Sequence, residues 1–224
     1  MDNKKICFIT CVSNEIYYKE ILLYLRHIEC PKDMSIEYIA VRGAASLSAG
    51  YNDAMMTSNA KYKVYLHQDC FLLHKESLRK IIKVFQDNPS IGLIGLAGCT
   101  KMPETGVWWQ SDSKIGRIYH SEVPEHIFET RYEDFVDDFM NVQVIDGVFM
   151  ATQYDLPWRQ DLFDGWHFYD VSQSLEFYRH GYGVAVIHQN SAWTVHVTGD
   201  KDLGEDYEED RKKFLAEYKR ELTI

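Results

Sequence analysis

The feature that most constrains this chain is the regular alternation, through its first hundred residues, of short apolar runs with segments of helical spacing. Ile6-Cys7-Phe8-Ile9-Thr10-Cys11-Val12 is an unbroken run bounded by Ser13-Asn14-Glu15, which has the turn and cap chemistry to open a helix over Ile16 to Ile28. Ile36 to Val41 repeats the strand pattern before Arg42-Gly43, and a short helix with Ser48 near its start carries Tyr51, Asn52, Ala54 and Met55. Lys63-Val64-Tyr65-Leu66 is a third strand that stops at His67-Gln68-Asp69. Leu78, Ile81, Ile82 and Phe85 fall on one helical face closed by Asn88-Pro89, and Ile91 to Ala97 is strand-like again. Continuous apolar strands separated by helices predict an α/β fold with a mainly parallel sheet covered on both faces. Ligands of such sheets sit at the carboxyl ends of strands, so His67-Gln68-Asp69 is the first place to look for chemistry.

The second half is less regular. From Gly98 to about Met140 turn residues and weak periodicity surround Trp108, Trp109, Tyr119, His120 and Tyr132, which reads as an inserted lobe. Its aromatic cluster suits either a local mini-core or stacking on a sugar ring or a partner. Val142 to Ala151 returns to a strand, interrupted by Asp146-Gly147. Leu162 to Asp170 leads into a helix with Val171, Leu175 and Tyr178, closed by His180-Gly181. Val184 to Ile187 is a further strand, and Ala192 to Val197 another, ending in His196-Val197-Thr198-Gly199. A last helix from about Glu205 to Leu222 puts Tyr207, Phe214, Leu215, Tyr218 and Leu222 on one face, with Glu208–Lys212 and Glu209–Lys213 spaced to pair on the other.

Charge and cysteine usage narrow the function. The 224 residues carry 24 Lys and Arg against 34 Asp and Glu, a net charge of -10 with no basic run. That argues against a nucleic-acid partner bound through bulk charge, so any nucleotide must be held locally. Five cysteines without a C-x-x-C pair fit neither a disulfide framework nor a zinc clip, and point to a reducing compartment. No stretch approaches the roughly 20 apolar residues of a membrane span, which predicts a soluble, cytoplasmic protein and leaves peripheral membrane contact open. The chain lacks G-x-G-x-x-G, G-x-x-x-x-G-K-[ST] and G-x-S-x-G, so dehydrogenase, P-loop and α/β-hydrolase readings lose their support. What remains is polar chemistry at three element ends: Asp69, Asp170 and His196. Singly these read as a strand end that could hold a divalent cation, a helix cap and a satisfied histidine; three such residues at element ends of one architecture are less easily dismissed together.

In order and spacing, Ala49-Gly50-Tyr51-Asn52-Asp53-Ala54, Leu66-His67-Gln68-Asp69, Ile91-Gly92-Leu93-Ile94-Gly95, Ile145-Asp146-Gly147-Val148-Phe149-Met150 and Phe163 to Asp170 resemble GT-A fold glycosyltransferases, in particular their family 2-like bacterial branch. The resemblance spans nearly the whole chain and implies one domain over residues 1–224, with a nucleotide-sugar half (1–98) and an acceptor-side half (99–224). It implies single-sugar, inverting transfer from a nucleoside diphosphate sugar to a hydroxyl, in glycan or surface polysaccharide assembly. On it Asp69 is the last acid of the D-x-D motif and holds Mn²⁺ or Mg²⁺ with His196, and Asp170 is the catalytic base. Ser13, Asn14, Asn52, His67 and Gln68 border the donor. Asp146 and Gly147 line the donor-sugar and acceptor side, with Trp108, Trp109, Trp166 and His167 as acceptor platforms. The acceptor it implies is a glycan or lipid-linked sugar, and the default donor a UDP-sugar.

The chain departs from that pattern twice. His67 replaces the first acid of D-x-D, and Val41-Arg42-Gly43 stands where many relatives place a base-reading acid. The Q-x-x-R-W signature of processive synthases is absent, which favours single addition. Two other readings compete: a metal-dependent hydrolase or phosphoesterase using His67, Asp69, His188 and His196, and a non-catalytic nucleotide-sugar or carbohydrate-binding module.

Overall fold

A computed structural model describes residues 1–123, 126–197 and 204–223. In chain order they form β1 (Asp2–Val12), α1 (Glu15–Leu25), β2 (Ser35–Arg42), α2 (Leu47–Thr57), β3 (Ala60–Leu66), β4 (Cys70–Leu72), α3 (Ser77–Asp87), β5 (Ile91–Gly95) and β6 (Ala97–Cys99). After a 3-10 turn at Trp108–Gln110 come β7 (Lys114–Val123), β8 (His126–Arg131), β9 (Phe139–Asn141), β10 (Val144–Ile145) and β11 (Phe149–Thr152). The chain then runs through α4 (Tyr169–Arg179), β12 (Gly183–Ile187), β13 (Thr194–Val197), α5 (Gly204–Glu217) and α6 (Lys219–Leu222). Thr198 and Gly199 lie outside the described residues.

The main sheet has the order β2-β1-β3-β11-β5-β12-β9. β1 pairs in parallel with β2 and β3, and β12 with β5. β11 runs antiparallel between β3 and β5, and β9 antiparallel to β12, so the sheet is parallel over β2-β1-β3 and mixed beyond it. The unbroken apolar run of β1 follows from burial on both faces: Ile6 and Phe8 join the core under α1 and α3, while Cys7 and Ile9 join the one under α2 and α4.

Local chemistry sets the helix starts. Asn14 caps α1, its Oδ1 accepting from Ile16 N at 2.9 Å, and Ser46 caps α2 through Ala49 N at 3.1 Å. The cap of α2 is thus Ser46; Ser48 is buried inside the helix.

Three expectations change. Ile91 to Ala97 is two strands, broken at Leu96, whose carbonyl accepts from Gln189 Nε2 at 2.6 Å. Beyond that corner the chain enters a second sheet, β10-β6-β7-β13-β4 with β8 on β7, so residues 98–140 are not an inserted lobe: their β7 pairs with β13, which in turn pairs with β4, both from elsewhere in the chain. The C-terminal helix is interrupted at Tyr218, and the ion pairs described within it are Glu208–Arg211 and Asp210–Lys213, with Lys213 also reaching Asp164 at 3.1 Å.

The apolar face of α5 and α6 docks as the pattern requires, with Phe214, Tyr218 and Leu222 buried. Arg159 bridges Glu176 and Glu217, both at 3.1 Å, and Arg179 bridges Glu217 at 2.7 Å and Glu221 at 2.6 Å. This network fastens the C-terminal helices to α4, the helix that carries Asp170.

Candidate active site

A cleft of about 540 Å³ opens at the carboxyl ends of β1, β2 and β3. Cys11, Val12, Ser13, Val41, Gly43, Ala44, Leu47 and Tyr51 wall one side, and His67, Gln68, Asp69 and Trp166 the other. Its volume lies in the range of about 300–1,000 Å³ typical of small-ligand sites. Gln68 closes the joint between the two strand ends: its Oε1 accepts from Ser13 N and Asn14 N, each at 2.8 Å, and its Nε2 donates to Ser13 Oγ at 2.8 Å.

Strand register assembles the polar cluster. β13 runs antiparallel to β4 with His196 opposite Cys70, and Val197 N donates to the Asp69 carbonyl at 3.0 Å. His196 Nε2 therefore lies 3.6 Å from Asp69 Oδ1, and His67 Nδ1 lies 3.8 Å from the same oxygen. The Tyr169 hydroxyl hydrogen-bonds His67 Nε2, which fixes the ring with Nδ1 toward Asp69. One ligand atom from each of His67, Asp69 and His196 lies within 4.8 Å of the others. His120 faces His196 across β7 and β13, with ring centroids 6.1 Å apart.

The chemistry of this trio fits a divalent cation. Asp69 Oδ1 is shielded from solvent and has no hydrogen-bond partner among the described residues, an arrangement that costs free energy unless something else satisfies it. Burial raises the Asp69 pKa, with His67 opposing. Burial, reinforced by His67 and His120, lowers His196 to about 3, so its imidazole is neutral and offers a lone pair.

Asp170 is in the first turn of α4, one residue inside the helix start. The cap position is Phe168, whose left-handed φ of 58° is rare for a bulky residue. Such conformations cost on the order of 1–3 kcal/mol and persist where packing over-determines them; here Phe168 packs on Phe163, Tyr207 and Phe214. The Asp170 carboxyl is thereby aimed at the Asp146-Gly147 break between β10 and β11, where Gly147 N donates to Asp170 Oδ2 at 2.9 Å. Asp146 is held separately, accepting from Val148 N at 2.8 Å. Burial, then the charge of Asp146, raises Asp170 to about 7. Helix capping by Asp170 is replaced by a carboxyl poised near neutrality.

The other expected site residues divide clearly. Ser13, His67, Gln68 and Asp69 line the cleft, and Asn14 holds its edge through the cap of α1 and the bond to Gln68. Asn52 does not reach it. The residue is 6% exposed, and its amide exchanges hydrogen bonds with the backbone of Trp158 at 2.9 and 3.0 Å, which makes it a support for α2. Trp108 is buried in edge-on contact with Trp109 and Tyr132, so it is no platform, whereas Trp109 is 42% exposed. Trp166, 51% exposed, lines this same cleft with His67, Gln68 and Asp69. His167 packs edge-on against Tyr207 at 5.1 Å. His188 lies in a separate pocket with Lys80, Lys83 and Asp138, and so does not complete the four-ligand set of a hydrolase. Tyr51, Tyr169 and Tyr207 escaped sequence reasoning. Tyr169 precedes Asp170 directly, but a tyrosine opening a helix looks like core, and nothing local shows that it reaches His67.

Comparison with known proteins follows the same lines. A family model described as "Glycosyltransferase like family" matches residues 7–218. No curated protein matches the chain significantly. Among solved structures, the mannosyltransferase PcManGT from Pyrobaculum calidifontis, in complex with GDP-Man and Mn²⁺, superposes with a TM-score of 0.52 at 11% identity, covering 90% of this chain and 58% of that one. TarS 1-349 of S. aureus in complex with UDP-GlcNAc gives 0.56 at 10% identity, covering 89% and 60%; its complex with UDP gives 0.56 at 11%, covering 95% and 65%. At these identities the likeness is one of fold, and the chain spans roughly three fifths of the length of these structures. Among the described residues no helix is long and apolar enough to cross a membrane.

Proposed function

Because the chain belongs to the glycosyltransferase-like family whose model spans residues 7–218, we propose that it transfers a single sugar, with inversion, from a nucleoside diphosphate sugar to a hydroxyl of a glycan acceptor. The observation that carries this reading is the placement of two chemistries on neighbouring loops. A cation-suited trio sits at the end of β3, and a carboxyl raised to about 7 is fixed by Gly147 at the end of β10.

The chain's own residues account for the steps. The nucleotide occupies the cleft between β1 and β2, with Ser13 held by Gln68 and Trp166 over the opening. A divalent cation held by His67, Asp69 and His196 would neutralise the charge that develops on the departing diphosphate. Asp170 takes the acceptor proton as the acceptor oxygen bonds to the anomeric carbon and the bond from that carbon to the diphosphate oxygen breaks. A base with a pKa near the working pH combines a useful ionised fraction with real proton affinity. Asp146, beside it, keeps Asp170 basic through its charge.

TarS in complex with UDP-GlcNAc and PcManGT in complex with GDP-Man and Mn²⁺ support a uridine diphosphate sugar as the first donor to test, with a guanosine diphosphate sugar second. Calorimetric titration with both series, with and without Mn²⁺, tests the proposal. Cation-dependent binding of one donor supports it. Phosphoester cleavage without an acceptor would favour the hydrolase, and binding without transfer or cleavage the non-catalytic module.

A further inference from the structure

His120 belongs to none of the segments that carry the family resemblance, yet the second sheet delivers it to the metal trio. β13 runs parallel to β7 with His196 opposite His120, so both imidazoles stand on one face of that sheet. On the other side of β7, Phe128 of β8 is opposite His120, and its ring stacks on the imidazole with centroids 5.6 Å apart. Phe128 thus backs His120 on the flank away from His196. The His196 ring has His120 at 6.1 Å on one side and His67 at 5.4 Å on another, centroid to centroid.

Those spacings suit a shared ion. A zinc–imidazole bond of roughly 2.0–2.1 Å puts each ring centre roughly 3.2 Å from the metal, so two rings on one tetrahedral ion lie about 5.2 Å apart and at most about 6.4 Å. His67 and His196 already meet the tetrahedral spacing, and a rotation of His120 closes the remaining difference of about 1 Å. Asp146 stands behind the cluster. Burial raises its pKa, while the Val148 N–H and the charges of His67 and His120 oppose that rise, so both rings lie within reach of its carboxyl. Carboxylates behind ligating histidines are the usual outer shell of such sites.

We infer that His120 is a fourth protein ligand, and that His67, Asp69, His120 and His196 close around Zn²⁺ as a four-coordinate site. This rests on the trio being the cation site of the proposed transferase, and specifies a second state of it. Imidazole nitrogen and carboxylate oxygen are ligand types that zinc takes, and four of them fill its tetrahedral shell. Mg²⁺ demands six positions and Mn²⁺ suits the same oxygen-rich surroundings, so with either ion the trio leaves places for diphosphate oxygens. In the zinc form His120 takes the open place. The nucleotide then loses its seat on the metal, and Zn²⁺ holds the protein in a closed, inactive state.

Calorimetric titration of the chelator-stripped full chain with Zn²⁺ and with Mn²⁺ tests this, with Co²⁺ absorption as the report on geometry. A single Zn²⁺ is expected to bind, at least about tenfold more tightly than Mn²⁺, and Co²⁺ to give the intense visible band of a four-coordinate ion. His120→Gln, checked for folding by thermal melting, should lose about tenfold or more in Zn²⁺ affinity and less than about threefold in Mn²⁺ affinity, and should weaken the cobalt band. Uridine diphosphate should bind the Mn²⁺-loaded chain and not the Zn²⁺-loaded one. An unchanged Zn²⁺ affinity in His120→Gln, equal losses for both ions, or equal nucleotide binding by the two metal forms would overturn the assignment. If neither uridine nor guanosine diphosphate binds either form while the His120-dependent zinc site stands, it is the transferase reading that fails.

Discussion

Gly147 N donates to Asp170 Oδ2 at 2.9 Å, and no larger residue fits where that bond is made. A Cβ on Gly147 would lie 2.1 Å from the Tyr169 hydroxyl and 2.9 Å from Asp170 Cβ. Since Tyr169 also holds His67, one methyl group would disturb both halves of the site. Gly147→Ala is expected to lower transfer by about 10²-fold, in line with the effect of misplacing reacting groups by an ångström. Overpacking of this kind costs about 1–3 kcal/mol of stability, so the melting temperature should fall by several degrees. Normal turnover in this variant would show that the Gly147–Asp170 bond does not position the base.

Asp170 couples activity to stability with opposite signs. Its folded pKa of about 7 lies above the 3.8 of a free aspartate. Between those values the native chain keeps a proton that the unfolded chain has released, so this group's contribution to stability is present at low pH and is lost as pH rises toward and through 7. Asp170→Asn should therefore melt higher than the parent at pH 8, with the gap closing toward pH 4. The same change should slow transfer by about 10²- to 10⁴-fold, the usual worth of a general base. In the parent, the transfer rate should climb with pH through about 7. A flat profile from pH 6 to 8 would remove Asp170 from the base role.

Much of this was legible because both faces of β1, β3 and β5 are buried, which forces the continuous apolar runs seen in the sequence. The polar ends of those runs then announce the cleft, as His67-Gln68-Asp69 does. The second sheet was not legible for a physical reason. In β7, Ile115 and Ile118 are buried, but Gly116 between them, at φ +103°, lies where a Cβ would sit 2.2 Å from the Leu96 carbonyl oxygen. That irregularity breaks the two-residue period on which strand reading depends. Asn52 misled for a related reason. The resemblance put it near the nucleotide, but helical rotation turns it inward to Trp158.

Gln68 makes no claim to chemistry, yet it fixes the joint of the cleft at the ends of β1 and β3. It supplies one acceptor to two backbone N–H groups and one donor to Ser13 Oγ. Each such bond contributes about 0.5–1.5 kcal/mol net, and the Ser13–Asn14 loop has few other ties across the cleft. Gln68→Ala is expected to weaken donor binding about tenfold, equivalent to about 1.4 kcal/mol, with kcat changed far less. An isothermal titration showing parental affinity would mean that the loop keeps its shape without the latch.

The ligand set at Asp69 predicts which cation is preferred. As metal ligands, two imidazoles and one carboxylate bring a single negative charge, where the two acids of a D-x-D pair would supply two. Mg²⁺ holds its water tightly and favours oxygen donors, whereas imidazole nitrogen favours later first-row ions. The affinity order should therefore be Co²⁺ above Mn²⁺ above Mg²⁺, with at least tenfold between the first and the last. Co²⁺ supplies its own readout, because imidazole ligation gives a shifted and stronger visible d–d band than the weak one of the aquo ion. That band should appear on titrating the parent and be lost in His196→Ala. In His67→Asp the preference should shift toward Mg²⁺, since an acid restores the second negative charge. Equal affinity for Mg²⁺ and Co²⁺ in the parent, or a band that survives loss of His196, would show that these histidines do not bind the metal.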